Sequence, residues 1–377
     1  MQFTIAIQPD NYGPGDSGSI IWSRKLRESG HLVRTVSVYS DELMKDLSEC
    51  DGFMWRFAHW PNLGQIARRI LPVIENYLGL VVYPDQRTCW HYDDKIAQKY
   101  LLEVAEIPTP QTWVWFDAEM AKKWSLSAQY PLVLKLANGA ASKNVRLVSS
   151  HKEAEVWIDK LFSRGVYSFD KKKEKPFRLA RQRLRAIGRL LLDGDYIYPK
   201  PRETAWELHK NYVLFQEFLP DNSYDTRVTI VGRRAFGFRR YNREDDFRAS
   251  GSGKIDWSPE CVDPRFIRLA FRTAETLGCQ SCAIDGLYRG NEPVIGEISY
   301  TYVSWAVHDC PGHWELQGDP DTGELIWKEG KMWAEEAQVA DFLQRLKTHK
   351  RRGPRWEQGS LPVLLHSKND SQRDVAQ

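Results

Sequence analysis

A chain of 377 residues with a formal charge of only +3 can bury a sizeable core in two or three lobes and has no polyelectrolyte character. No stretch approaches the roughly 20 apolar residues of a membrane span, and residues 1–8 lack the basic and apolar regions of a signal peptide. The 15 tryptophans are scattered without a period, so no solenoid repeat is read, and the expectation is a cytoplasmic protein with reduced thiols.

Residues 1–84 alternate short apolar runs with helical patterns. Strands are predicted at 3–7, 32–38, 52–56 and 80–83. Helices are predicted at 17–30, capped by Ser17 or Ser19 and stopped by Gly30, and at 64–77. Strand alternating with helix predicts a parallel sheet covered on both faces, with ligands gathering at the carboxyl ends of its strands. Two loops lie there: the Gly-rich 11–19 and the 55–60 segment. The second carries Arg56 and His59, which suit an anionic substrate or a plain surface equally.

An amphipathic helix over 93–103 opens on an acidic cap and ends before Pro108 and Pro110. Residues 130–137 read as a strand with Lys135 in its middle, which is costly unless the ammonium is paired. A bound phosphate would pair it, and the small-residue loop 138–144 leaves backbone N–H groups free to approach phosphate oxygens. Strand 145–148 and a helix over 153–162 follow. Residues 160–205 form a basic insertion, read as a solvated segment in preference to an anion-attracting surface. Nothing in it reads bases, so nucleic acid is not the expected partner.

Order returns with a strand at 212–219. A hairpin spans 225–231 and 234–240, then a basic Gly/Ser-rich loop runs over 246–254 and a helix over 263–277. Next come two apolar runs, one ending at Asp285 and the other leading to Glu297, with 286–293 read as the turn between them. Such a hairpin carries both carboxylates to one place. Two adjacent carboxylates repel unless a cation joins them, and Mg2+ on a phosphate chain prefers oxygen ligands. The competing reading is two acids on a solvated hairpin. Cys279, Cys282, Cys310 and His313 have zinc-ligand spacing, against which stands the use of free Cys as a small buried hydrophobe. A last helix is predicted over 331–347 and a disordered tail beyond 351.

Taken in order, these pieces resemble the ATP-grasp superfamily, closest to its glutathione synthetase and ribosomal-protein-S6 glutamate ligase branch, over roughly residues 85–312. The resemblance is carried by Asp94–Lys95, Ile107 to Pro110, Lys135 with its loop, Gln216 to Leu219, Asp225 with Arg227, Phe247–Arg248, Asp285, and Glu297 with Ser299. Residues 297–314 also resemble a subgroup associated with bacterial surface-polysaccharide gene sets.

The resemblance implies an α/β chain, α+β in the clamp, with an ATP-grasp fold and a Rossmann- or flavodoxin-like N-terminal lobe. Its lobes would be 1–90, 91–210 and 211–350. It implies an ADP-forming carboxylate–amine ligase that works through an acyl phosphate on an amino acid, peptide or sugar acid, with a homo-oligomer allowed. A kinase of the same fold and a non-catalytic nucleotide-binding protein are the alternatives. ATP and one or two Mg2+ ions, with Mn2+ as substitute, are the implied cofactors. Lys95 and Lys135 would hold phosphates, and Gln216, Glu217, Phe218 and Leu219 would face adenine. Asp225 would take the ribose, and Arg239 and Arg248 the γ-phosphate or acyl phosphate. Asp285, Glu297 and Ser299 would hold metal. Arg56, His59, Arg227, Ser250 and Gly251 are the substrate candidates. Ser299 departs from the family pattern, which has Asn there, and a hydroxyl has the shorter reach.

Overall fold

A computed structural model describes residues 1–10, 17–139, 144–167, 207–244, 246–249 and 251–349. The first Gly-rich loop, the middle of the 138–144 loop, most of the basic insertion, Ser250 and the tail lie outside the described residues.

The N-terminal lobe is built from β1 (Thr4–Gln8), α1 (Gly18–Glu28), β2 (Leu32–Thr35), α2 (Leu43–Ser48), β3 (Gly52–Trp55), α3 (Pro61–Asn76) and β4 (Val81–Tyr83). The strands are parallel in the order β2-β1-β3-β4. β3 and β4 are buried along their whole length, which is why they read as unbroken apolar runs. On one face Leu63, Ala67, Leu71 and Ile74 of α3 pack on Ala6, Phe53, Trp55 and Val82. On the other, Trp22 and Leu26 of α1 pack on Ile5, Ile7 and Met54.

After α4 (Gln86–Cys89), helix α5 (Lys95–Val104) starts at Asp94, whose carboxylate accepts from the Ile96 and Ala97 N–H groups. A second sheet follows, from β5 (Thr112–Trp115), α6 (Ala118–Ser125), β6 (Leu132–Lys135), β7 (Val145–Val148), α7 (His151–Phe162) and β8 (Val213–Glu217). It is antiparallel, in the order β5-β8-β6-β7, and α6 and α7 cover one face through Ala121, Ala154, Ile158 and Leu161.

The third sheet holds β9 (Tyr224–Val231), β10 (Arg234–Tyr241) and β11 (Ile255–Asp256). After α8 (Pro264–Leu277) come β12 (Ser281–Arg289), β13 (Glu292–Ser299), α9 (Ser304–His308), β14 (Gly312–Gln317), β15 (Glu324–Glu329) and α10 (Ala334–Thr348). The path is β13-β12-β9-β10-β14-β15, with β11 beside β10. α8 covers one face through Phe266, Ile267, Ala270 and Phe271. The β12–β13 turn is tighter than the sequence suggests. Only Gly290 and Asn291 lie outside the strands, and Gly290 takes φ +60°. Residues 286–289 continue the strand because Gly286 lies flat against the Phe266 ring, where a Cβ would sit 2.1 Å from a ring carbon.

The last helix, α10, leaves the third sheet and packs Val339, Phe342 and Leu346 on Phe3, Ile5 and Val81 of the N-terminal lobe. The hairpin β14–β15 and the short helices α2, α4, α6 and α9 have no counterpart in the sequence reading.

Candidate active site

The uncovered faces of the second and third sheets enclose a cavity of ≈ 1030 Å³, closed at one end by the β3–α3 loop of the N-terminal lobe. Side-chain alternation decides what reaches it. On β9, Asp225 and Arg227 line the cavity while Thr226 and Val228 are buried. On β12, Asp285 lines it while Cys282 and Ile284 face α8. Asp285 pairs directly with Glu297 across β12 and β13, and the register slips by one residue immediately after, between Asp285 and Gly286. The hairpin therefore brings both carboxylates to one face.

A chain of charges crosses three strands. Arg227 donates to both oxygens of Asp285 at 2.6 and 2.7 Å. Arg240 donates to both oxygens of Asp225 at 2.7 and 2.6 Å and to Asp285 at 2.9 Å. Burial alone would raise the Asp285 carboxyl, but the two guanidinium groups hold it well below the usual carboxylate range. Asp225 is thus the brace of Arg240, its carboxylate engaged there at the cavity wall.

The lysines differ from one another. Lys95 lies 3.3 Å from Glu297 and donates to the Gly139 carbonyl at 3.2 Å. Burial lowers it, and Glu297 and Asp93 more than offset that, so it stays charged. Lys135 has no ion pair among the described residues, and burial pulls it down to about 8. It stands at the cavity wall, where Glu297 and Asp285 offset the effect of burial only in part. Asp93, held at φ +52°, accepts from the Gly139 N–H at 2.8 Å and so anchors the loop that follows Lys135.

Gln216, Glu217, Phe218 and Leu219 all line the cavity. The Glu217 carboxylate, however, accepts from Arg289 at 2.6 Å and from the Gln111 N–H at 2.9 Å, which ties β8 to the β12–β13 hairpin. Arg248 and Gly251 line the cavity, with Arg248 paired to Asp246 at 2.7 Å. Arg239 does not line it. It lies on the opposite side of β10, its guanidinium 4.1 Å from the Tyr224 ring centroid, and the arginine that reaches the cavity is Arg240. In a strand a one-residue offset exchanges faces, and the sequence run Arg239–Arg240 carried no mark of which one faced inward. Ser299 lines the cavity and donates to the Thr301 carbonyl at 2.7 Å, leaving its oxygen lone pairs as the only donor set it can offer a cation.

At the far end, Arg56 and His59 line the cavity. Arg56 lies 3.4 Å from Asp10 and 3.4 Å from Glu335 of α10, and donates to Ser304 at 3.3 Å. Two carboxylates share this guanidinium, so it is a braced strut as much as an anion receptor. Glu335 could not be read from sequence, because 279 residues separate it from Arg56. The zinc set does not assemble: Cys279 and Cys282 pack with α8, whereas Cys310 packs with Phe236 and Phe238 beneath α9. Among the described residues no group of three or more His, Cys, Asp or Glu side chains stands as a metal cage. Among them, too, no helix is long and apolar enough to cross a membrane.

No protein-family model matches the chain. It is 22% identical over 265 residues to an α-aminoadipate–LysW ligase, LysX, of Saccharolobus solfataricus, covering 69% of this chain and 79% of that protein. Its structure is similar to a RimK-domain ATP-grasp protein of Sphaerobacter thermophilus (TM-score 0.51, 16% identity, 90% of this chain and 99% of that one). It is also similar to the D-cycloserine synthetase DcsG (TM-score 0.53, 13% identity, 91% and 99%). A third similar structure is the macrocyclase MdnC of Microcystis aeruginosa, solved with its precursor peptide (TM-score 0.50, 12% identity, 91% and 100%). With its two antiparallel sheets closing on one charged cavity beside a parallel α/β lobe, the chain has the ATP-grasp fold.

Proposed function

We propose that the protein is an ATP-dependent carboxylate–amine ligase that releases ADP and phosphate. The observation that carries the reading is the pairing of Asp285 with Glu297 at a cavity wall that also holds Lys135, an ammonium whose burial those two carboxylates offset only in part. ATP would lie between the lobes of residues 91–210 and 211–350, with the lobe of residues 1–90 supplying loops for the substrates.

Lys135 and Lys95 hold the phosphates, and the 216–219 segment offers main-chain groups to adenine. Asp285 and Glu297, hard oxygen donors side by side, would suit Mg2+ or Mn2+ where the ion replaces part of their present pairing with Arg227, Arg240 and Lys95, with the Ser299 hydroxyl as a weaker third donor. Such an ion, when bound, neutralises charge on the triphosphate. A substrate carboxylate oxygen attacks the γ-phosphorus and ADP leaves; an amine nitrogen then attacks the acyl carbon and phosphate leaves. The protein's part is positioning and charge stabilisation. Arg227 and Arg240, pre-set by Asp285 and Asp225, face the transferred group, and Arg248 approaches it from the loop above. The similarity to an enzyme named as an α-aminoadipate–LysW ligase supports C–N bond formation.

The test is a hydroxylamine trap. The protein, Mg-ATP and pools of amino acids, peptides and uronic acids are mixed with hydroxylamine, and ADP and hydroxamate are followed together. Both products rising together, and both lost in Asp285→Ala and Glu297→Ala, is the expected result. ADP with a stable phosphorylated product and no hydroxamate would make the protein a kinase.

A further inference from the structure

The two carboxylates of the proposed metal pair are held unequally. Asp285 lies on β12, with β9 on one side and β13 on the other, and two guanidinium groups grip it. Glu297 lies on β13, the edge strand, beside an irregularity in the ladder. Asp285 pairs with Glu297 and Gly286 pairs with Ile295, so Gly296 has no residue opposite it. Such a bulge locally disrupts the ladder, and an edge strand has no second neighbour strand to restore it. Pairing with β12 therefore does not by itself fix where Glu297 stands.

Two contacts from residues 98–108 make up for this, one on each side of the bulge. Before it, the Ile295 N–H donates to the Pro108 carbonyl at 2.8 Å. After it, Gln98 of α5 pairs with the main chain of Ile298 as a neighbouring strand would. Its Nε2 donates to the Ile298 carbonyl at 2.7 Å, and its Oε1 accepts from the Ile298 N–H at 3.3 Å. Nε2 also donates to the His91 carbonyl at 3.2 Å. Two carbonyls thus face Nε2, which fixes the orientation of the amide, since an amide turned over would set its oxygen against both. Gln98 is 5% exposed and does not line the cavity. Helix α5 starts at Lys95, whose ammonium lies 3.3 Å from Glu297. Residues three apart on a helix are neighbours on one face. One helix therefore supplies both the counter-ion of Glu297 and the clamp on the residue that follows it.

We infer that Gln98 is a positioning residue for the metal pair. By clamping Ile298 it holds Glu297 opposite Asp285, where the two can share one divalent cation. The inference rests on the ligase reading above and extends it to a side chain that touches neither nucleotide nor ion. Without the clamp the bulge at Gly296 relaxes, and Glu297 is left to its pairing with Lys95.

The test measures Mn2+ binding to the full chain by electron paramagnetic resonance, with a non-hydrolysable ATP analogue present. Hydrogen exchange of the 295–299 segment is followed in parallel. Gln98→Met keeps the length of the side chain and removes all three hydrogen bonds. Gln98→Asn keeps the amide and withdraws it by one methylene. Both should weaken Mn2+ binding roughly 10- to 100-fold, as loss of an outer-shell support does. Both should speed exchange at Ile298, while Ile295, held by Pro108, exchanges as in the parent. Leu102→Ala opens the core beneath the same helix and controls for lost stability; it should leave Mn2+ affinity unchanged. Parent-like Mn2+ affinity in either folded Gln98 variant would overturn the inference. So would equal weakening in Leu102→Ala, which would make Gln98 a structural residue only. A parent chain that binds no Mn2+, with or without the analogue, would overturn the ligase reading itself and the inference with it.

Discussion

Replacing Lys135 with methionine should make the ATP-free protein more stable and the nucleotide site worse. Lys135 sits at the end of β6 with no ion pair among the described residues, and burial, offset only in part by Glu297 and Asp285, takes it from 10.5 to about 8. That depression corresponds to about 3 kcal/mol against the charged form. The side chain keeps some contact with solvent through the cavity, and screening there reduces the penalty to about 1–2 kcal/mol. Methionine keeps the apolar stem and discards the charge, so the unfolding free energy should rise by about that amount. The same change removes a charge-assisted hydrogen bond to phosphate, worth about 1.5–3 kcal/mol, and Mg-ATP affinity should fall roughly 10- to 100-fold. The sign with pH is fixed by linkage. The unfolded chain binds more protons than the folded one between about 8 and 10.5, so parent stability rises with pH across that window. The methionine variant should lack that rise. Urea unfolding followed by tryptophan fluorescence measures the first effect, and calorimetric titration with Mg-ATP the second. A methionine variant that is less stable than the parent, or that binds Mg-ATP equally well, would refute the reasoning.

Asp285→Asn should cost about 2–3 kcal/mol, because Arg227 loses its bidentate partner while Arg240 keeps Asp225. Mg2+-dependent ADP release should fall at least about 10²-fold. Because the Asp285 carboxyl is held well below its usual range, its contribution is present above the ordinary aspartate value, about 4, and fades as pH falls below it. Acid unfolding of the Asn variant should therefore be shallower there. Arg240→Ala should abolish ADP release, whereas Arg239→Ala should retain it and lose only about 0.5–1 kcal/mol of stability from the Tyr224 contact; equal effects in an ADP-release assay would reverse the facing of β10. Gly286→Ala should cost about 2–3 kcal/mol by forcing the Phe266 ring aside, and Phe266→Leu should restore part of the loss in a thermal melt.

The local order of this protein was legible because its signals are local. Apolar runs bounded by caps and glycines predicted β1, β3 and β4, the Asp94 cap announced α5, and the two apolar runs around Asp285 and Glu297 predicted a hairpin. Lys135 stood out because a charge in mid-strand needs a partner wherever the strand packs. The spacing of these pieces carried the ATP-grasp resemblance. Choices between faces and between distant partners were not legible. Whether Arg239 or Arg240 enters the cavity depends on the pairing of β9 with β10, and Asp225 became an arginine brace only once Arg240 was set opposite it. Glu335 reaches Arg56 because α10 returns to the first sheet, and Glu217 is held by Arg289 only where β8 meets the β12–β13 hairpin. Residue type and spacing singled out two carboxylates and two lysines as candidates for binding a phosphate chain. Packing of three sheets decided which charges stand free and which are already neutralised, because in a partly dry cavity a charge's chemistry is set by the groups a few ångströms away, and those come from elsewhere in the chain.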